Sequence, residues 1–193
     1  TVNLSTPKLI ELSLERGEGK LSNTGSLSVF TGARTGRSAK DKAIVHNSAT
    51  EDTVAWGDVN RPVSQNTFDS LFSRLERYLE EQKPYVFEGY AGVRPEHAKD
   101  FRIVCELASQ ALFISQLLHQ GNILEDKPFQ ILVAPGFSCE PERDGTRSDA
   151  AIMIDYLNRR ALIAGTRYAG AIKKTVFSIM NFELPKAGVL PMH

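Results

Sequence analysis

Cysteine is scarce: Cys105 and Cys139 are the only two among 193 residues, and neither belongs to a CxxC pair or has a histidine at ligand spacing. Neither a disulfide framework nor a structural zinc site is signalled, and both thiols are expected to be ordinary reduced side chains. Net charge is also missing, 23 Lys+Arg being set against 23 Asp+Glu. A chain without a global field is not drawn onto nucleic acid or an anionic membrane surface, so any anion it binds must be held by a local cluster. No apolar run approaches the roughly 18 to 20 residues that cross a bilayer. The opening TVNLSTPKLIELSL lacks the basic start and cleavage site of a secretory signal. The expectation is a soluble protein with neither a membrane nor a nucleic-acid partner. Repeats, low-complexity linkers and long charge runs are absent too, so a single α/β domain over residues 1–193 is the economical reading.

What is present is an alternation of strand and helix patterns. Thr6 as N-cap, Pro7 at the first helical position, apolar Leu9, Ile10 and Leu14 and a closing Gly17 predict a short amphipathic helix. Residues 26–30 and 43–45 read as strands flanking a loop over 31–40. Phe68, Leu71, Phe72, Leu75, Tyr78 and Leu79 form one apolar stripe, which predicts a helix over 66–82 capped by Ser64 or Thr67 and stopped by Pro84. Strands are expected at 85–90, 101–107 and 129–135, with a helix from 108 ending near Gly121. Residues 151–156 and 160–165 suggest a hairpin in a mixed sheet, followed by a helix through about Asn181 halted by Pro185. The predicted fold class is α/β, a mixed β-sheet with flanking helices.

Positive charge gathers in two places. The stretch T-G-A-R-T-G-R-S-A-K-D-K (31–42) sets Arg34, Arg37, Lys40 and Lys42 against Asp41 alone. Its glycines let backbone N–H groups approach an anion, and an arginine fork can hold a carboxylate or phosphate. It is not a Walker A loop, because three residues rather than four separate Gly32 from Gly36 and Arg37 stands where lysine is required. A solvated loop whose glycines only make turns explains the composition as well. No aromatic residue lies between 31 and 45 to stack on bases, which argues against a nucleic-acid patch. The second stretch, G-T-R-Y-A-G-A-I-K-K (165–174), runs from a strand end into a helix that carries Lys173 and Lys174 early. Lysines there oppose the helix dipole, so they are either solvated or present to meet an anion or metal-bound oxygens. His46, His97, His119 and His193 each stand alone in sequence, where a surface or core histidine is the default.

These stretches resemble the N-terminal domain of ATP-dependent phosphoenolpyruvate carboxykinase. The similarity runs nearly end to end: L-S-L-E-R-G-E-G at 12–19, T-G-A-R-T-G-R-S-A-K-D-K-A-I-V at 31–45, W-G-D-V-N-R-P-V-S at 56–64, A-L-F at 111–113, D-G-T-R-S at 144–148, and the whole of 165–193. The resemblance implies a cytoplasmic gluconeogenic carboxy-lyase that converts oxaloacetate and ATP to phosphoenolpyruvate, CO₂ and ADP, using Mn²⁺ together with Mg²⁺–ATP. It implies that Arg37 binds the substrate carboxylate, that Tyr168 sits against substrate or CO₂, and that Lys174 and His193 are protein ligands of Mn²⁺ with Lys173 beside them. The chain ends at His193, ahead of the family's P-loop, so the implied partner is a C-terminal ATP-binding domain, and these residues alone are expected to be inactive.

The sequence departs from the family pattern in three places. Ala171 replaces the glutamate of YxGExKK, Ala39 stands where proline is usual, and Gly92-Val93-Arg94-Pro95 replaces a more acidic turn. Loss of the carboxylate at 171 suggests a second reading, a non-catalytic relative that keeps the fold as a binding or scaffold module.

Overall fold

The computed structural model describes residues 1–122, 125 and 127–191. Five α-helices are described, α1 (Thr6–Glu15), α2 (Gln65–Gln82), α3 (Ala108–Ser115), α4 (Pro141–Asp144) and α5 (Gly170–Glu183). The strands in chain order are β1 (Gly19–Leu21), β2 (Leu27–Val29), β3 (Lys42–Val45), β4 (Arg61–Val63), β5 (Tyr85–Ala91), β6 (Lys99–Cys105), β7 (His119–Gln120), β8 (Phe129–Ala134), β9 (Ala151–Asp155) and β10 (Arg160–Ala164). Eight of these form one mixed sheet in the order β4-β3-β9-β10-β8-β6-β5-β7, while β1 and β2 pair as a separate hairpin.

Strict alternation along the central strands divides the core. Ala43, Val45, Leu132, Ala134, Met153, Leu162 and Ala164 face α2, whose Phe68, Leu71, Phe72, Leu75 and Leu79 are all buried, as the stripe predicts. Ile44, Ile131, Val133, Ile154 and Ile163 face the other way and pack with residues of α1, α3 and α5, including Leu9, Ile114, Ile172 and Ile179. Burial on both faces is what gives strands such as Ala-Ile-Met-Ile their unbroken apolar reading.

Helix punctuation holds with small corrections. Ser64 Oγ accepts from the Thr67 N–H at 3.2 Å and caps α2. Ser5, not Thr6, is the N-cap of α1, because Thr6 is already helical. Helix α3 ends at Ser115, several residues short of Gly121, and His119–Gln120 pairs with the edge of β5 instead. The start of α3 has no cap of its own; buried Glu18 supplies one, accepting from the N–H groups of Ala108 and Ser109 at 3.0 and 2.7 Å. Helix α5 ends at Glu183, two residues beyond the expected Asn181 and just short of Pro185, which sits near the start of a 3₁₀ turn, Leu184–Ala187. Both cysteines are free and buried, and burial pushes the Cys105 and Cys139 thiols well up from their ordinary value.

The predicted hairpin is β9–β10, and its turn is tied by the fully buried Asp155. Its carboxylate accepts from Gln65 Nε2 and Asn158 Nδ2, both at 2.8 Å, and from Arg160 Nη2 at 3.2 Å. Burial, the largest influence, pushes the Asp155 pKa up, but the hydrogen bonds from Gln65, Asn158 and Arg160 together outweigh it and leave it below the ordinary 3.8. A depressed folded-state pKa contributes stability that is present above the unfolded value and is lost as pH falls through the folded one. Asp155→Asn should therefore flatten the dependence of the urea midpoint on pH below about 4. An unchanged acid slope in the variant would contradict this assignment.

The sheet order also fixes where a site can form. Ala164 of β10 lies opposite Ala151 of β9 and Ala134 of β8, and Lys42 of β3 lies opposite Ile152. One end of the sheet thus gathers the exits of β8 and β10 with the entrances of β3 and β9, and both cation-rich stretches meet there.

Candidate active site

The exit of β10 is shaped by two glycines. Gly165 has φ +70°, and a Cβ on it would lie 2.5 Å from the carbonyl oxygen of Asp149, so the chain can turn this closely past 149–150 only without a side chain. A Cβ on Gly170 would lie 2.5 Å from the ring of Tyr168, which folds against the first residue of α5. The half-buried Tyr168 donates its N–H to Thr166 Oγ1 at 3.2 Å, closing the turn between strand and helix.

The loop over 31–42 is stitched to this turn by one of its arginines. Arg34 donates to the Gly165 carbonyl at 3.2 Å and to Ser148 Oγ at 3.3 Å, and forms an ion pair with Asp149. Ser148 Oγ in turn donates to Asp41 at 2.8 Å. Arg34 and Asp41 are therefore committed to holding the loop in place.

The remaining cations of the loop have other surroundings. Arg37 is exposed at the mouth of a cleft of about 350 Å³, which is also lined by Ser38, Lys42, Ala171, Lys174 and Phe177. Among the described residues no aspartate or glutamate lines it. Lys174 lies with Nζ 4.9 Å from the Phe177 ring centroid. Lys42 is half-buried, and its pKa is pushed down first by burial and then by the neighbouring charge of Lys174. Among the described residues none of Arg37, Lys42 and Lys174 has a carboxylate within ion-pairing distance. The cleft can thus take up an anion against three uncompensated positive groups.

A second basic group lies at the opposite end of the sheet, around a cleft lined by Arg102, Lys127, Arg159 and Arg160. There the arginines are already neutralised: Arg102 by Glu88 at 3.3 Å, Arg159 by Glu125 at 2.5 Å and Arg160 by Asp69 at 2.5 Å. It has little positive charge left to offer.

Of the residues expected from sequence, Arg37 and Lys174 are brought into one cleft. Tyr168 and Lys173 are not among its lining residues, Lys173 being exposed on α5, and His193 lies outside the described residues. Ala171 is buried and lines the cleft one helical turn before Lys174, so an alanine methyl stands where a carboxylate would face that lysine. Lys42 was not singled out by sequence reasoning beyond its count in the local charge. Its position as the first residue of an apolar strand was the available signal. Among the described residues no group of three or more His, Cys, Asp or Glu side chains could hold a metal ion. Lys174 is thus the one described member of the expected Mn²⁺ pair, and the described donors do not complete a metal site.

The sequence profile of the family described as phosphoenolpyruvate carboxykinase matches residues 1–193. Phosphoenolpyruvate carboxykinase (ATP) 1 of Moorella thermoacetica is 46% identical over 195 residues, covering 99% of this chain. The proteins named phosphoenolpyruvate carboxykinase (ATP) from Geobacillus kaustophilus and Bacillus velezensis are each 44% identical, over 98% and 99% of the chain. The chain spans 37% of the length of each of these relatives.

Proposed function

Because the chain belongs to the family of ATP-dependent phosphoenolpyruvate carboxykinases, we propose that it is the N-terminal, substrate-side domain of such an enzyme. The full-length protein would then convert oxaloacetate and ATP to phosphoenolpyruvate, CO₂ and ADP, a carboxy-lyase reaction of gluconeogenesis carried out in the cytoplasm. The observation that carries this reading is the acid-free cleft in which Arg37 and Lys174 meet, since substrate, enolate and transferred phosphoryl group are all anionic.

In this reading the exposed guanidinium of Arg37 receives a substrate carboxylate bidentately at the mouth of the cleft. Loss of CO₂ leaves the electron pair of the broken C–C bond in an enolate, whose oxygen attacks the γ-phosphorus of ATP while ADP departs. Lys174, together with the Mn²⁺ that its neutral amine would help to hold, stands where the negative charge of the enolate and the phosphoryl oxygens develops. Tyr168, in the adjoining β10–α5 turn and outside the cleft wall, would border the substrate or CO₂, and Lys173, exposed on α5, would add charge nearby. The family's Mn²⁺, held by Lys174 and His193, and the Mg²⁺ that accompanies ATP would neutralise further negative charge. The nucleotide is held by the C-terminal domain, the missing partner of this one.

The test is an assay of oxaloacetate-dependent phosphoenolpyruvate formation. The full-length protein is expected to turn over with ATP and divalent metal, and residues 1–193 alone are expected to give none. A full-length protein that forms no phosphoenolpyruvate would leave the second reading, a binding or scaffold module. Ala171, which places an apolar side chain beside the lysines, is the observation on that side. Coding sequence downstream of His193 that contains a GxxxxGK[ST] loop would favour the enzyme.

A further inference from the structure

We propose that Lys42 is a direct substrate-binding residue, holding one carboxylate of a dicarboxylate anion from the strand side of the cleft, across from Lys174 on the helix side. This rests on the reading of the cleft as a carboxykinase substrate site, and it extends that reading to a residue with no role assigned so far.

The surroundings of Lys42 carry the argument. It opens β3, pairs across to Ile152 and lines the cleft together with Arg37 and Lys174. Its nearest acidic neighbour in sequence, Asp41, is taken by Ser148 Oγ at 2.8 Å, and the same strap engages Arg34. No carboxylate lies within ion-pairing distance of Lys42 among the described residues, although it is half-buried and beside a second ammonium group. Withdrawing an ammonium from water next to a like charge is unfavourable unless a counter-charge arrives. Lys40, two positions earlier, is exposed, so burial of Lys42 is a local feature of the strand entrance and not of the loop as a whole.

The alternatives within the fold are weaker. The arginines at the far end of the sheet are matched by Glu88, Glu125 and Asp69. In the cleft, by contrast, Arg37, Lys42 and Lys174 face no acid among the described residues, and position 171 beside Lys174 carries an alanine. An anion with two carboxylates can engage Arg37 at the mouth with one end and Lys42 with the other, which supplies the counter-charge that Lys42 lacks. Lys42 serves there as a compact point charge on a flexible stem.

The experiment uses the full-length protein with Lys42→Met and Lys42→Arg. Oxalate, a dicarboxylate probe that needs no turnover, is titrated calorimetrically, and KM for oxaloacetate and for ATP is measured in parallel. Loss of one charged hydrogen-bonding group corresponds to about a tenfold or greater weakening. Lys42→Met is expected to weaken oxalate by that factor and to raise KM for oxaloacetate similarly, with KM for ATP unchanged and Lys42→Arg recovering most of the loss. Oxalate binding by Lys42→Met equal to wild type overturns the proposal, as does a Lys42→Arg variant that folds but binds no better than Lys42→Met. If Lys42→Met does not fold, Lys42→Gln replaces it and is judged by the same outcomes. A wild-type protein that binds oxalate in a Lys42-dependent way but forms no phosphoenolpyruvate leaves this inference standing and removes the carboxykinase reading.

Discussion

Lys174→Met in the full-length protein is expected to abolish most turnover, on the order of 10²–10³-fold in kcat, the range found when one preorganised charge-stabilising group is removed. Methionine is nearly as good a helix former as lysine, so α5 should persist. Its thioether can also keep contact with the Phe177 ring, over which the Lys174 ammonium sits at 4.9 Å. Folding and chemistry are therefore separable at this position. The urea midpoint should stay close to wild type while phosphoenolpyruvate formation collapses. Turnover similar to wild type would remove Lys174 from the reaction and, with it, the assignment of the cleft. The pattern differs from that expected at Lys42, where KM for oxaloacetate should carry the effect, because Lys174 is placed to meet charge that develops during the reaction.

Long, strongly patterned elements were legible from sequence, and elements defined by their partners were not. The stripe on α2 and the apolar runs of β8, β9 and β10 specify both their type and the faces they bury. Strands β1, β4 and β7 are two or three residues long and exist because a neighbour offers backbone groups to pair with. Pro62 in β4 weakens a strand reading from sequence, yet it is tolerated because β4 is the sheet edge and needs no ladder hydrogen bond on its outer side. The site shows the same division. Composition locates a cation-rich loop at 31–42 but treats its four basic residues alike. Their roles separate only once the strap at 144–149 is in place, making Arg34 an anchor, Arg37 the free fork at the mouth, Lys42 a half-buried charge and Lys40 a solvated one. Ala171 was legible as a departure from the family pattern, whereas its place in the cleft wall required the helix to be docked.

The strap itself depends on a buried ion pair, which gives the largest expected effect on stability. Asp144 is 2% exposed and accepts from Arg74 Nη1 of α2 at 2.5 Å, while its other oxygen accepts from the Glu140 N–H at 2.8 Å. Arg74 also reaches Glu140 at 3.3 Å and lies 5.2 Å over the Phe137 ring. Removing Asp144 leaves the mostly buried Arg74 guanidinium with only its longer contact to the exposed Glu140 carboxylate, so Asp144→Ala is expected to cost about 3 kcal/mol. For a chain of this size that corresponds to a fall in Tm on the order of 10 °C. Replacing both partners by apolar residues, as in Arg74→Leu with Asp144→Leu, should cost less than the single change because no orphan charge remains. Chemical denaturation of the two variants measures the difference, and a stability for Asp144→Ala close to wild type would show that Arg74 is readily resolvated. The consequence reaches the cleft. Asp144 precedes Gly145, whose carbonyl accepts from Arg61 at 2.7 Å, and the chain continues to Ser148 and Asp149, which hold Asp41 and Arg34. A strap released at Asp144 therefore loosens the loop that presents Arg37 and Lys42, so Asp144→Ala should weaken oxalate binding in the full-length protein even at temperatures where the domain remains folded.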